Sequence, residues 1–135
     1  MKLFGLRGGV HPEALKHHTE QQPIQRMPMP KWLYIPLQQH IGAPAKAEVG
    51  VGDKVERGQL LARSQGLISA PVHAPSSGTI IAIEDHPAPH PTGLPVRTIV
   101  IETDARERIF KNLTEAGDPF QLSPQQIAER VGQAG

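Results

Sequence analysis

The stretch "VGVGDKVERGQLLA", residues 49–62, constrains this chain more than any other. Gly52 has no Cβ and takes the positive φ of a tight turn at little steric cost. Asp53 can hydrogen-bond nearby backbone and hold that turn. Val55 then points inward while Lys54 and Glu56 face water, the alternation of a half-buried strand. Gly58 supplies a second bend, after which Leu60-Leu61 is expected in the core.

The rest of the chain has the same character. Its 14 prolines and 13 glycines make up a fifth of 135 residues, which favours turns and short strands over long helices. Aromatic residues are 4% of the chain, so the core is expected to be small and built from Val, Ile and Leu. "WLYIPL", from Trp32, reads as a short strand that Pro36 places at an edge or a bulge. "AEVGV" leads into the Gly52-Asp53 turn. "LISAPVHA", from Leu67, reads as two extended pieces split by Pro71. "SSGTIIAIED" opens on a turn for which Gly78 supplies positive φ, then alternates into a strand. In "PVRTIVIET", Ile99 and Ile101 point one way and Thr98 and Val100 the other. "HPAPHPTGLP", between these two strands, reads as a proline-stiffened loop. Ala43-Pro44 before Val49 and Val51 echoes Ala74-Pro75 before Ile80 and Ala82, the kind of repeat that two interlocking halves would leave. Trp32 and Tyr34, alternating with Leu33 and Ile35, are expected to cap one end of the barrel rather than stand exposed as an interface anchor.

Short hairpins packed face to face in this way resemble the biotinyl/lipoyl-like barrel-sandwich hybrid. The expected fold is therefore mainly β: a barrel-sandwich domain over residues 31–104, preceded by an extended arm over 1–30. Prolines 12, 23, 28 and 30 keep that arm extended, with at most one weak helical turn in "HPEALKHHTEQQ". Residues 105–135 are read as a linker and a short helix leading towards a nucleotide-binding domain. Ser123 is the N-cap of that helix, Pro124 its first residue and Gln126 the closing partner of a capping box. Ile127 and Val131 share one face, and Gly132 is expected to end it.

Such a scaffold has several known uses. A carrier domain displays a modified lysine on the hairpin tip that follows the glycine turns. Here that tip is residues 63–71, "RSQGLISAP", and it holds no lysine. Lys54 lies in the preceding turn and Lys46 before a strand, and neither matches the carrier pattern. An efflux adaptor inserts a long helical hairpin at the same point, but only ten residues, 63–72, separate Ala62 from His73. An adaptor also needs an export signal, and no apolar secretion core is visible in "MKLFGLRGGVHP".

Composition removes further classes. Formal net charge is +1, so nothing calls for nucleic acid as a partner. Residues 1–31 carry a slight basic excess: Lys2, Arg7, Lys16, Arg26 and Lys31 against Glu13 and Glu20. With no cysteine, the chain can hold no thiolate metal site, disulfide or cysteine nucleophile. No apolar run approaches membrane-spanning length. Among the seven histidines, His86 and His90 flank "PAP" in the loop and His17-His18 is a doublet. A zinc site needs three or four convergent ligands, and these read as surface histidines. "LRGGV", from Leu6, lacks the strand before and helix after that a phosphate loop needs, and reads as a bend in the arm. His73 with Ser76 or Ser77 could pair as base and nucleophile, but no acidic orienter suggests itself, and the serines read as turn residues. No catalytic, cofactor-binding or metal-binding residue is assigned.

Three blocks carry a resemblance to a known family: "LRGGVHP" at 6–12, "IPLQQHIGAPAKAEVGVGDKVERGQLLA" at 35–62 and "PVHAPSSGTIIAIEDHPAPHPTGL" at 71–94. The chain resembles the N-terminal region of the C subunit of the Rnf complex, the ion-translocating ferredoxin:NAD oxidoreductase. The resemblance implies that the chain is a docking module of a subunit passing electrons between NADH and ferredoxin. That subunit would be peripheral, on the cytoplasmic face of the inner membrane, touching the membrane only through partner subunits. It implies FMN, NADH and two 4Fe-4S clusters in the parent subunit, and none of their ligands within these residues. The alternatives are a part like the A subunit of a sodium-translocating NADH:quinone reductase and a lipoyl/biotinyl-type carrier domain.

Overall fold

Two antiparallel sheets enclose one aliphatic core in the computed structural model, which describes residues 12–111 and 118–135. The strands are β1 (Trp32–Pro36), β2 (Lys46–Ala47), β3 (Lys54–Val55), β4 (Leu60–Arg63), β5 (Val72–His73), β6 (Gly78–Pro87) and β7 (Pro95–Thr103). The larger sheet runs β1-β7-β6-β3, the smaller β2-β4-β5. Ile35, Val55, Ile80, Ile99 and Ile101 from the larger sheet meet Leu61, Ala62 and Val72 from the smaller, with Leu37, Ala45 and Ala74 between. This is the expected barrel-sandwich class: mainly β, with one short C-terminal helix, α1 (Pro124–Ala134).

Local chemistry explains most of these elements. β1 lies at the edge of its sheet, where the missing N–H of Pro36 disrupts no ladder on the free side. Gly52 takes φ +95° and Gly58 φ +85°, as their turns require. Asp53 Oδ2 accepts from the Gly50 N–H at 2.7 Å and closes the first turn. That turn then docks on β6, where Gly52 N–H donates to the Ile80 carbonyl and Ile80 N–H to the Asp53 carbonyl. A bulge between Ile80 and Ala82 shifts the alternation by one, so that Ile80 and Ile83 both face the core while Ile81 is pushed outward.

Several expectations are corrected. Leu61 and Ala62 are fully buried, but Leu60 faces out. Residues 67–70 form no strand, and the extended piece reduces to β5. Gly78 does not have positive φ: it is the first residue of β6, in register with Val55 and Thr103. The proline-stiffened loop is shorter than expected, since β6 runs on through His86 and Pro87. The echo between 43–51 and 74–82 is not structural, because Val51 sits exposed in a turn whereas Ile80 is buried in a long strand. Over its described residues the arm makes one short 3-10 turn, Lys16–His18, and is otherwise irregular and exposed from Pro12 to Met29. α1 has the full capping box between Ser123 and Gln126 but runs past Gly132 to Ala134, and buries no residue.

Candidate functional site

The hairpin tip that would carry a lysine in a carrier domain is pinned rather than displayed. Between β4 and β5, Ile68 carbonyl accepts from Ala43 N–H at 3.0 Å. His40 Nε2 accepts from Ala70 N–H at 3.0 Å, while its Nδ1 lies 2.9 Å from the Ile41 carbonyl. Both ring nitrogens of His40 are thus engaged, one with its own loop and one with the tip. Gly42, at φ +98°, lies so close to the Ile68 carbonyl that a Cβ would overlap it. The zippered loops leave Leu67 fully exposed (100%) and Ile41 nearly so (85%), with Ile68 at 60%. A groove of about 700 Å³ opens beyond Ile41, between residues 36–42 and 88–96, with Leu94 on its far wall. This end of the barrel thus offers aliphatic surface where a carrier offers an amine. Sequence reasoning missed it by reading "LISA" only as an extended piece, although an apolar "GLI" in a lysine-free tip was the available signal.

A second surface is the outer face of the larger sheet. Trp32 and Tyr34 do not cap the barrel; they are 49% and 51% exposed. Alternation gives only one of each neighbouring pair to the core, and Leu33 and Ile35 take that side opposite Ile101 and Ile99. Trp32 and Tyr34 stand outward, opposite Glu102 and Val100. The Lys31 ammonium lies 5.0 Å from the Trp32 ring centre and 3.5 Å from Glu102 Oε1. His86 meets Tyr34 edge-on, ring centres 4.7 Å apart, and its Nε2 lies 3.1 Å from Glu84 Oε1.

Of the two serines, Ser77 is structural. An acidic residue does stand beside it, contrary to expectation: Ser77 Oγ donates to Asp104 Oδ1 at 2.6 Å. Ser77 is fully buried and accepts in turn from Arg108 N–H at 3.0 Å, while the Arg108 guanidinium lies 2.7 Å from Asp104 Oδ2. The Ser77 hydroxyl, the Arg106 N–H and the nearby Arg108 and Arg106 charges hold the Asp104 carboxyl below its ordinary range, against a smaller opposing effect of burial. These bonds staple the chain after β7 onto the start of β6. A buried Ser77 donating to a carboxylate has its hydroxyl already engaged, and His73 lies in β5, opposite Leu60.

The iron–sulfur clusters implied for the parent subunit do not fit this chain. Iron–sulfur clusters are held by thiolates, and the chain has none. Among the described residues no group of three or more His, Cys, Asp or Glu could hold a metal ion. A dinucleotide phosphate is held where a strand turns into a helix N-terminus. α1 is the only α-helix among the described residues; it follows a 3-10 turn, and its Gln126 N–H is taken by the Ser123 hydroxyl. "LRGGV" lies outside the described residues. No described helix is long and apolar enough to cross a membrane.

Comparison with known proteins agrees with this geometry. The family described as the RnfC barrel sandwich hybrid domain matches residues 4–106. The C subunit of the ion-translocating oxidoreductase complex of Rhodobacter capsulatus is 44% identical over 135 residues, all of this chain and 26% of that protein. The protein of the same name from Pseudomonas aeruginosa is 43% identical over 133 residues, covering 98% of this chain and 17% of its own length. That from Haemophilus influenzae strain PittEE is 38% identical over 134 residues, covering 99% and 20%. The chain spans about a quarter or less of these relatives and corresponds to their N-terminal part. These matches favour neither the quinone-reductase nor the carrier alternative. With its two facing sheets, glycine turns and lysine-free tip, the chain belongs to the RnfC barrel sandwich hybrid domain family.

Proposed function

We propose that this chain is the architectural docking module of the C subunit of an ion-translocating oxidoreductase complex. In this reading it contributes contacts and no chemistry. The parent subunit passes electrons between NADH and ferredoxin, and FMN, NADH and two 4Fe-4S clusters are held outside these residues. The subunit sits peripherally on the cytoplasmic face of the inner membrane and reaches the bilayer only through its partners. Residues 1–30 serve as an arm, 31–104 as the barrel unit and 105–135 as the tether.

The observation that carries the docking role is the outward Trp32–Tyr34 pair with Lys31 beside it. Aromatic side chains are enriched in protein interfaces and dominate their energetics, because they bury large area at low entropic cost. Ile24 and Met27 of the adjoining arm are also exposed and extend the apolar surface on offer. The test substitutes Trp32→Glu and Tyr34→Glu together in the whole subunit, at positions half in water. Co-purification with the membrane subunits should fall by roughly tenfold or more, the scale of losing two anchor side chains. NADH oxidation with a soluble artificial acceptor should persist. Normal co-purification would remove the docking role, and lost turnover in a folded, cofactor-loaded subunit would place the domain in the electron path.

A further inference from the structure

Single exposed aliphatic residues are ordinary on protein surfaces. Ile41, Leu67 and Ile68 are not single. They lie on two loops joined by the Ala43–Ile68 and Ala70–His40 hydrogen bonds, with Leu94 across a groove from Ile41. Gly42 can approach Ile68 only because it lacks a side chain, so the juxtaposition is built in. An apolar cluster held in place by glycine and histidine is a surface made to be covered.

The path of the polypeptide indicates what covers it. α1 ends against this same end of the barrel. Ala134 and Gly135 line a pocket of about 380 Å³ with Gln39, His40, Ala70 and Pro71. Gly135 takes φ +104° at the helix end and lies so near the Pro71 carbonyl that a Cβ would stand 3.0 Å from it. α1 also carries Ile127 and Val131, 40% and 65% exposed, one turn apart. In the relatives the polypeptide continues well past the region matched here, since that region is their N-terminal quarter or less.

We infer that the part of the subunit following residue 135 packs over this end of the barrel, covering Ile41, Leu67 and Ile68 together with the Ile127–Val131 stripe of α1. The inference rests on the reading of the chain as part of a longer complex subunit. It commits to a partner in the same polypeptide for a physical reason. A separate protein must overcome the loss of free translation and rotation, which takes an interface of about 1,000 Å² or more. A segment tethered at Gly135 starts beside the cluster at high effective concentration, so a small apolar patch is sufficient. The barrel then has two faces with different occupants: the tip holds the rest of its own subunit, and the outer sheet face holds another.

Site-specific photocrosslinking in the assembled complex tests this. The photoreactive residue p-benzoylphenylalanine replaces Leu67, whose side chain takes no part in the barrel core, and in a parallel preparation replaces Trp32. The expected adduct from position 67 is a peptide of the same subunit from beyond residue 135. A link from position 67 to a different subunit overturns the inference, as does no link there in a folded complex. Position 32 reports separately on docking to other subunits, so an intrachain link at 67 with none at 32 would keep this inference and remove the earlier one. A second measurement uses Leu67→Asp with Ile68→Asp in the isolated subunit. Protease cleavage in the segment after residue 135 should accelerate about tenfold or more, because each buried aliphatic side chain holds the closed form by at least that factor. An unchanged cleavage rate would likewise overturn it.

Discussion

A methyl group at position 78 has nowhere to go. It would overlap the Glu102 carbonyl oxygen and stand 2.8 Å from Ile101 Cγ2. The sequence points to a glycine requirement here but suggests the wrong cause, since "SSG" reads as a positive-φ turn while the demand comes from the close approach of β7. The two causes predict different outcomes. Gly78→Ala relieves nothing by being small, so it should cost about 3 kcal/mol in denaturant unfolding, the range of overpacked cores. A cost below about 1 kcal/mol would show that the backbone moves aside. Asp104 makes a second prediction. Its carboxyl is held below the ordinary range by the Ser77 hydroxyl first and by Arg106 and Arg108 after it. A lowered native pKa stabilises the fold above the unfolded value, about 3.9, and that contribution is lost as pH falls through the native value. Asp104→Asn should therefore be less stable than the parent at pH 7, with the difference shrinking as pH falls through that acid range. A difference that stays constant down to about pH 2 would sink this account. The Ser77–Asp104 pair was not legible beforehand, because the two residues lie 27 apart and meet only when β6 and β7 pair.

At the scale of elements, legibility followed locality. The cap of α1 was readable because Ser123, Pro124 and Gln126 act on one another within a single turn. Its end was not, because a helix can pass through one glycine at a cost of about 1 kcal/mol. Ser123→Ala should lower the helicity of residues 124–134 and cost that helix about 1 kcal/mol, read by amide exchange. Since α1 buries no residue, the unfolding midpoint of the barrel should not move. A falling midpoint would mean that α1 supports the core. The aromatic pair of β1 shows the converse limit. Alternation established that Trp32 and Tyr34 share a face, but which face met water depended on the register with β7, a contact between residues far apart in the chain.

At the scale of the whole molecule, the absent tip lysine makes a prediction about modification. Lys54 lies on short strand β3, and Lys46 on β2 stands opposite Arg63 at the base of the pinned loop 63–71 rather than within it. Co-expression with lipoyl and biotin ligases should leave the intact mass unchanged, and an adduct on any lysine would restore the carrier reading. By itself the sequence determined the class of fold, through Gly52, Asp53, Gly58 and the alternating β6 and β7, because turns and strands are written in neighbouring residues. It also determined that no cysteine chemistry is available. Tertiary structure alone decided what the molecule presents. The clasp of His40 on Ala70 and the close passage of Gly42 by Ile68 join distant segments and place an aliphatic cluster at the tip, while the register of β1 with β7 places an aromatic pair on the outer sheet. Surface composition is a property of which residues the core leaves over, and the core is assembled from contacts that no local pattern encodes.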